Sequence, residues 1–174
     1  MTAAASVAWT SLKIASTAFK ETATTEISSK AFKDGQGIPD RYTCRGADVS
    51  PELSFDGVPK GTMTLALILE DPDAPSGVFT HWVVYNIPPS STGLAEAIPP
   101  GQLVDGTLQG KNDMGKNGHC GPCPPPGRLH HYNFNLYALD NAPGLPNGAS
   151  RKQLLAAMQG HVLGQARLTG TYQR

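Results

Sequence analysis

The chain has 174 residues, enough for one domain with a sizeable core, and its 19 glycines and 15 prolines call for many turns. Fourteen basic residues balance fourteen acidic ones, which excludes the electrostatic footprint of a nucleic-acid or anionic-membrane binder, so any anion must be held locally. Three cysteines are too few for a disulfide framework, and the odd count leaves at least one thiol unpaired or joined between chains, which fits a reducing, cytoplasmic compartment.

Residues 1–25 (MTAAASVAWTSLKIASTAFKETATT) lack a basic start followed by an unbroken apolar run and do not read as a secretory signal or a membrane span. They read as a flexible extension, with residues 26–174 forming one domain. KIASTAFK (13–20) is echoed by EISSKAFK (26–33), and the second copy is favoured as the first strand because it runs directly into the compact chain. TLALILE (64–70) is an apolar run short enough for a buried strand, and THWVVYNI (80–87) is a second strand stopped by Pro88 and Pro89. HHYNFNLYAL (130–139) is a third, whose period of two places His130, Tyr132, Phe134 and Leu136 on one face and His131 on the other. Ser150-x-x-Gln153 is a capping-box signature, and Leu154, Leu155, Met158, Val162 and Gln165/Ala166 recur at helical spacing. These predict a helix over roughly 151–163, ended by Gly164 and followed by an extended ARLTGTYQR. Strands dominate and the helix comes late, so the fold class is β-rich α+β.

Cys120-Gly121-Pro122-Cys123 matches the dithiol of thioredoxin-like oxidoreductases. Such a dithiol needs a helix N-terminus behind it to stabilise thiolate. Pro124, Pro125 and Pro126 follow instead, each removing an N–H and disfavouring helical geometry in its predecessor. The stretch therefore reads as a stiff loop shaped by prolines rather than by a disulfide. Zinc held by Cys120, Cys123 and His119 or His130 lacks the second pair of a structural site. A hydrolase lacks a nucleophile elbow of the G-x-S-x-G kind. What remains is Asp71 in DPDAPSG (71–77), His81 at a strand start, and His130 with Tyr132 beside the proline loop. One carboxylate, two imidazoles and a phenol can build a small polar pocket.

DPDAP, HWVVYNIP and GPCPPPG followed by HHYNFNLYALD, in that order and spacing, resemble the phosphatidylethanolamine-binding protein family, which includes Raf kinase inhibitory protein and plant flowering-time regulators. DGQGIPDRYTCRGADVSPEL, GKNDMGKNG and GHVLGQARLTGTYQR are similar to its bacterial and archaeal branch. The resemblance runs from about Glu26 to Arg174. It implies a large antiparallel sheet with a smaller sheet packed on it, a C-terminal helical region and a small surface pocket for an anion. Ligand-binding roles fall on Asp71, His81, Gly121, Pro122, Pro124, Pro125, His130 and Tyr132; no catalytic residue, metal or cofactor is implied. The implied ligand is a phosphate-type or carboxylate anion, phospholipid headgroups included. The implied partners are a kinase or a protease to be inhibited, and a second copy in a homodimer. Three departures stand out: His131 where the family usually has arginine, a loop one proline longer, and Cys120 where glycine is usual. In chemical terms, Asp71 should orient one imidazole whose other nitrogen meets the ligand, and His81 and His130 are the pocket groups able to become cationic near neutrality.

Overall fold

Within TLALILED, residues 65–69 are apolar without interruption because they lie at the centre of a sheet covered on both faces. The computed structural model describes residues 24–174, so the expected extension, including KIASTAFK, lies outside the described residues up to position 23. In chain order the elements are β1 (Glu26–Ser28), a 3₁₀ turn (Asp40–Tyr42), β2 (Leu53–Asp56), β3 (Thr64–Asp71), β4 (Phe79–Ile87), β5 (Gly93–Leu94), β6 (Leu108–Gln109), β7 (His130–Leu139), α1 (Arg151–Met158) and β8 (Val162–Tyr172). The large sheet has the order β6-β4-β3-β7-β8 and the small one β1-β2-β5, with every pairing antiparallel.

Alternate residues of β3 feed two cores. Leu65, Leu67 and Leu69 join Trp82, Val84, Tyr132, Phe134 and Leu136 against Ile27, Leu53 and Phe55 of the small sheet. Ala66 and Ile68 face the other way, packing with Val83, Tyr85 and the α1 residues Leu154 and Met158. With neither face in water, β3 has no reason to alternate polar and apolar residues. At one edge, buried Gln109 accepts from the Trp82 indole at 2.7 Å and donates to the carbonyls of Pro99 and Gly101, so its amide is satisfied.

The helix stops at Met158, short of the expected residue 163. His161 N–H donates to Met158 O at 2.9 Å and Gly160 takes φ 81°, which turns the chain so that Val162 pairs with Leu139. Ladder hydrogen bonds along the whole of β7 outweigh the helical spacing of Val162 and Gln165, and Val162 and Leu163 remain exposed. Gly164 is therefore a strand residue. A side chain there would run into Thr25 and Pro59. The first strand is also shorter than EISSKAFK, ending at Ser28, where the Ser29 hydroxyl turns to donate to Glu52 O and Phe32 drops against Phe134.

The capping box forms as read: Ser150 Oγ accepts from Gln153 N–H, and the Gln153 side chain accepts from Ser150 N–H. Ser150→Ala should cost about 0.5–2 kcal/mol in chemical denaturation, whereas Ser150→Asp should retain most of it. Leu67→Ala, in the inter-sheet core, should cost about 2–5 kcal/mol in the same assay.

Candidate functional site

Antiparallel pairing puts the end of β3 beside the starts of both β4 and β7: Asp71 lies opposite Phe79, and Glu70 opposite Asn133. Asp71, His81 and His130 thereby meet at one end of the large sheet, although 59 residues separate the outer two. They line a cavity of about 330 Å³ together with Tyr132, Gly121, Pro124 and Pro125.

The Asp71–His130 pair is the most buried part of the site. His130 Nδ1–H donates to Asp71 Oδ2 at 2.7 Å, with the two side chains only 3% and 5% exposed. The other carboxylate oxygen accepts the Asp73 N–H at 2.8 Å, the turn bond expected of Asp before Pro. His81 is held differently. Its Nδ1–H donates to Cys120 O at 2.8 Å, and its ring sits between Phe79, at 4.8 Å, and the edge-on ring of Tyr132, at 5.2 Å. Burial pushes the His81 pKa below the usual imidazole value; the Cys120 carbonyl and the charges of Asp71, Asp113 and Asp48 offset this only in part. The expectation that His81 charges readily near neutrality is corrected accordingly. A carbonyl can only accept, so Nδ1 carries the proton and neutral His81 has a lone pair at Nε2. The Tyr132 hydroxyl is enclosed without a protein partner of ordinary geometry, and burial, followed by the Asp71 charge, raises its pKa far above normal.

The proline loop is tied down by a bond that the sequence did not suggest. Cys123 pairs with Cys44, 79 residues away. Cys120 is the free thiol. The loop is thus shaped by a disulfide as well as by prolines, and both the oxidoreductase and the zinc readings lose Cys123 as a thiolate. Burial, then the charges of Asp48 and Asp113, pushes the Cys120 thiol up to about 12, so it stays protonated and a poor nucleophile. Two hydrogen bonds run parallel to the disulfide: Cys44 N–H to Pro122 O at 3.1 Å and Gly121 N–H to Asp48 Oδ1 at 2.6 Å. Gly121 must be glycine, because a Cβ there would collide with the Tyr42 carbonyl and the Asp48 carboxylate.

Of the residues read from the sequence, Asp71, His81, Gly121, Pro124, Pro125, His130 and Tyr132 line the cavity, while Pro122 sits behind it, holding Cys44. His131 points away as expected. Its ring Nδ1–H donates to Asp73 Oδ2 at 2.7 Å and its backbone N–H to the same oxygen at 2.8 Å, which holds the Asp73 carboxyl below its usual range. Asp48, Cys44, Phe79 and Met114 were missed as wall residues. RYTCRGADVS carries no strand or helix signal, and nothing local links it to a loop more than 70 residues on.

A β-rich α+β protein with two antiparallel sheets and an aspartate, two histidines and a tyrosine gathered under a proline loop is the class these observations define. The chain belongs to the phosphatidylethanolamine-binding protein family, whose model matches residues 28–173. It is 56% identical over 149 residues to the UPF0098 protein of Methanothermobacter thermautotrophicus, covering 85% of this chain and 98% of that one. It is 48% identical over 151 residues to the UPF0098 protein of Aquifex aeolicus, covering 86% and 88% respectively. Among solved structures, it is similar to a phosphatidylethanolamine-binding protein homologue of Chlamydia trachomatis (TM-score 0.80, 41% identity) and to Escherichia coli YbcL (TM-score 0.81, 31% identity). Each of these comparisons covers 87% of this chain and 99% of the other. The relatives' names carry no enzyme assignment. No helix among the described residues is long and apolar enough to cross a membrane.

Two predictions concern the buried groups around the loop. Cys120→Ser should fold with an unchanged thermal midpoint, since a serine hydroxyl can keep the contact that the thiol makes with His81 O at 3.4 Å. The second concerns His119, whose ring packs edge-on to Trp82 at 5.5 Å with neither nitrogen hydrogen-bonded. Burial, then the nearby His81, lowers its pKa to about 4. Because the folded value is depressed, the unfolded chain takes up the proton first, and stability is lost as pH falls from about 6.5 towards 4. At about 1.4 kcal/mol per pH unit the loss is on the order of 3 kcal/mol. His119→Phe should flatten that part of the stability profile in denaturant titrations; profiles that stay parallel would contradict it.

Proposed function

We propose that the cavity binds a phosphate-type or carboxylate anion, free or as the headgroup of a larger molecule, and that the chain acts through binding rather than catalysis. The observation that carries this reading is the pair of imidazoles. Each is committed at Nδ1, His130 to Asp71 and His81 to the Cys120 carbonyl, and the Nε2 of each has no protein hydrogen bond among the described residues. Family membership supports the same reading. Tyr132 adds an unpartnered hydroxyl, and Gly121, Pro124 and Pro125 form the wall opposite the strands. Asp71 already accepts from His130 Nδ1–H and the Asp73 N–H, so its oxygens are engaged away from where the ligand would sit. Asp71 and His130 give orientation, and His81 and Tyr132 supply polar contacts in a largely apolar enclosure.

The tautomers set the proton requirement. In the neutral state both histidines offer lone pairs at Nε2, and an oxyanion has only lone pairs to offer in return. An imidazole can therefore donate to sulfate only after taking up a proton, leaving Tyr132 O–H as the donor of the neutral site, whereas a phosphate that still carries its own proton can donate it to Nε2. A bound anion raises the histidine pKa. Affinity for sulfate is then highest below the free-state value and falls as pH rises through the bound-state value; burial sets the free-state value of His81 below the ordinary one. Calorimetric titration of sulfate between about pH 5 and 8 should show weakening affinity with rising pH, and proton uptake on binding. His130→Ala, with folding checked by circular dichroism, should weaken binding by about 1–3 kcal/mol, the cost of a charge-assisted hydrogen bond. His131→Ala should change it little. Flat affinity across the range, or equal losses from the two substitutions, would overturn the assignment.

A further inference from the structure

All three cysteines of the sequence line the same cavity, and they are not equivalent. Cys44 and Cys123 are exposed at its mouth, while Cys120 is partly enclosed below. The Cys44–Cys123 bond joins the 3₁₀ turn region to the proline loop, across the wall that closes the cavity opposite the strands. On the outer side of that bond, Arg174 Nη1–H donates to Cys123 Sγ at 3.4 Å. The disulfide is therefore open to solvent, polarised towards Cys123 by a neighbouring cation, and part of the cavity wall. We propose that the Cys44–Cys123 disulfide is a thiolation site, at which a low-molecular-weight thiol such as glutathione opens the wall of the cavity and weakens its hold on an anion.

The chemistry follows from which sulfur leaves more easily. A thiolate stabilised by a guanidinium is the better leaving group. The incoming thiolate attacks Cys44 Sγ and forms a mixed disulfide there, while the Cys44–Cys123 bond breaks and its electron pair leaves as the Cys123 thiolate beside Arg174. The balance is one small thiol consumed: its proton passes to solvent, its sulfur forms the mixed disulfide with Cys44, and the protein disulfide ends as that mixed disulfide and the Cys123 thiolate. Cys120 does not compete: its thiol remains protonated near neutrality, so it is a poor internal nucleophile against Cys123 despite the C-x-x-C spacing. After opening, the hydrogen bonds left between the two loops among the described residues are Cys44 N–H to Pro122 O and Gly121 N–H to Asp48, which are then free to open. Pro124 and Pro125 are then free to move, and a ligand must order them on binding.

The effect on affinity rests on the anion-binding reading, whereas the opening reaction does not. The folded protein, incubated with glutathione, would be quenched in denaturant with N-ethylmaleimide and mapped by peptide mass, with phosphate affinity and backbone amide exchange measured before and after. Untreated protein should show one alkylated cysteine, Cys120, and treated protein should carry glutathione mainly on Cys44. Arg174→Ala should slow the opening several-fold. The amides of Cys44 and Gly121 should lose protection, and phosphate affinity should drop about tenfold, the scale of ordering a freed loop on binding. Cys44→Ser/Cys123→Ser should show the weak affinity without glutathione and no response to it, whereas Cys120→Ser should respond as the parent does. A disulfide that resists glutathione in the folded protein, or one that opens without change in amide protection, overturns the proposal. So does equal phosphate affinity in the two states when binding is measurable. If neither state binds phosphate, the anion reading fails, and the site of glutathione attachment and the amide exchange still decide whether the disulfide is a thiolation site that opens the wall.

Discussion

The site depends on the antiparallel pairing of β3 with both β4 and β7. Asp71 ends the central strand, and its two neighbours necessarily begin where it stops, which brings His81 and His130 to the same edge. The Asp71–His130 hydrogen bond then works in both directions. It places a carboxylate that would be costly to bury alone beside an imidazole that needs orienting. The two cores on either face of β3 keep the strand from shifting, because a slip of one residue would exchange Leu67 for Ile68 across the sheet. Packing elsewhere in the molecule thus fixes the geometry of the polar cluster.

The electrostatics of the cavity are economical. No lysine or arginine is among the residues that line it, and the carboxylates within reach are already committed: Asp71 to His130 and Asp73, Asp48 to the Gly121 N–H. His81 is buried between aromatic rings, and that burial disfavours its charged form. An anion held there, as proposed, would be bound through hydrogen-bond geometry and proton supply rather than through fixed positive charge. This agrees with a chain that carries no net charge overall.

Opposite the rigid strands, the wall consists of two loops with little regular structure between them. Backbone hydrogen bonds, a glycine that admits close approach and a covalent bond hold them together. The prolines stiffen each loop, but they cannot set the distance between the loops. That division, a packed sheet on one side and cross-linked loops on the other, puts whatever can move on the side of Cys44, Cys123, Pro124 and Pro125.

The sequence by itself determined the long strands, the alternation of β7 that sends His130 and His131 to opposite faces, the capping box at Ser150, and four of the cavity's residues, Asp71, His81, His130 and Tyr132, while Gly121, Pro124 and Pro125 came from the family resemblance. Each of these rests on a local period or a motif of neighbouring residues. It could not determine where the helix ends, since Val162 satisfies helical spacing as well as strand spacing and only pairing with β7 settles the matter. The two-residue and four-residue strands β2, β5 and β6 were also out of reach, being too short to show a period. Tertiary structure alone decided that Cys123 pairs with Cys44 and not with Cys120, that Asp48 anchors Gly121, and that His81 resists protonation. The physical reason is the same in each case. Pairing and burial depend on which distant residues the fold brings into contact, and no local pattern encodes that.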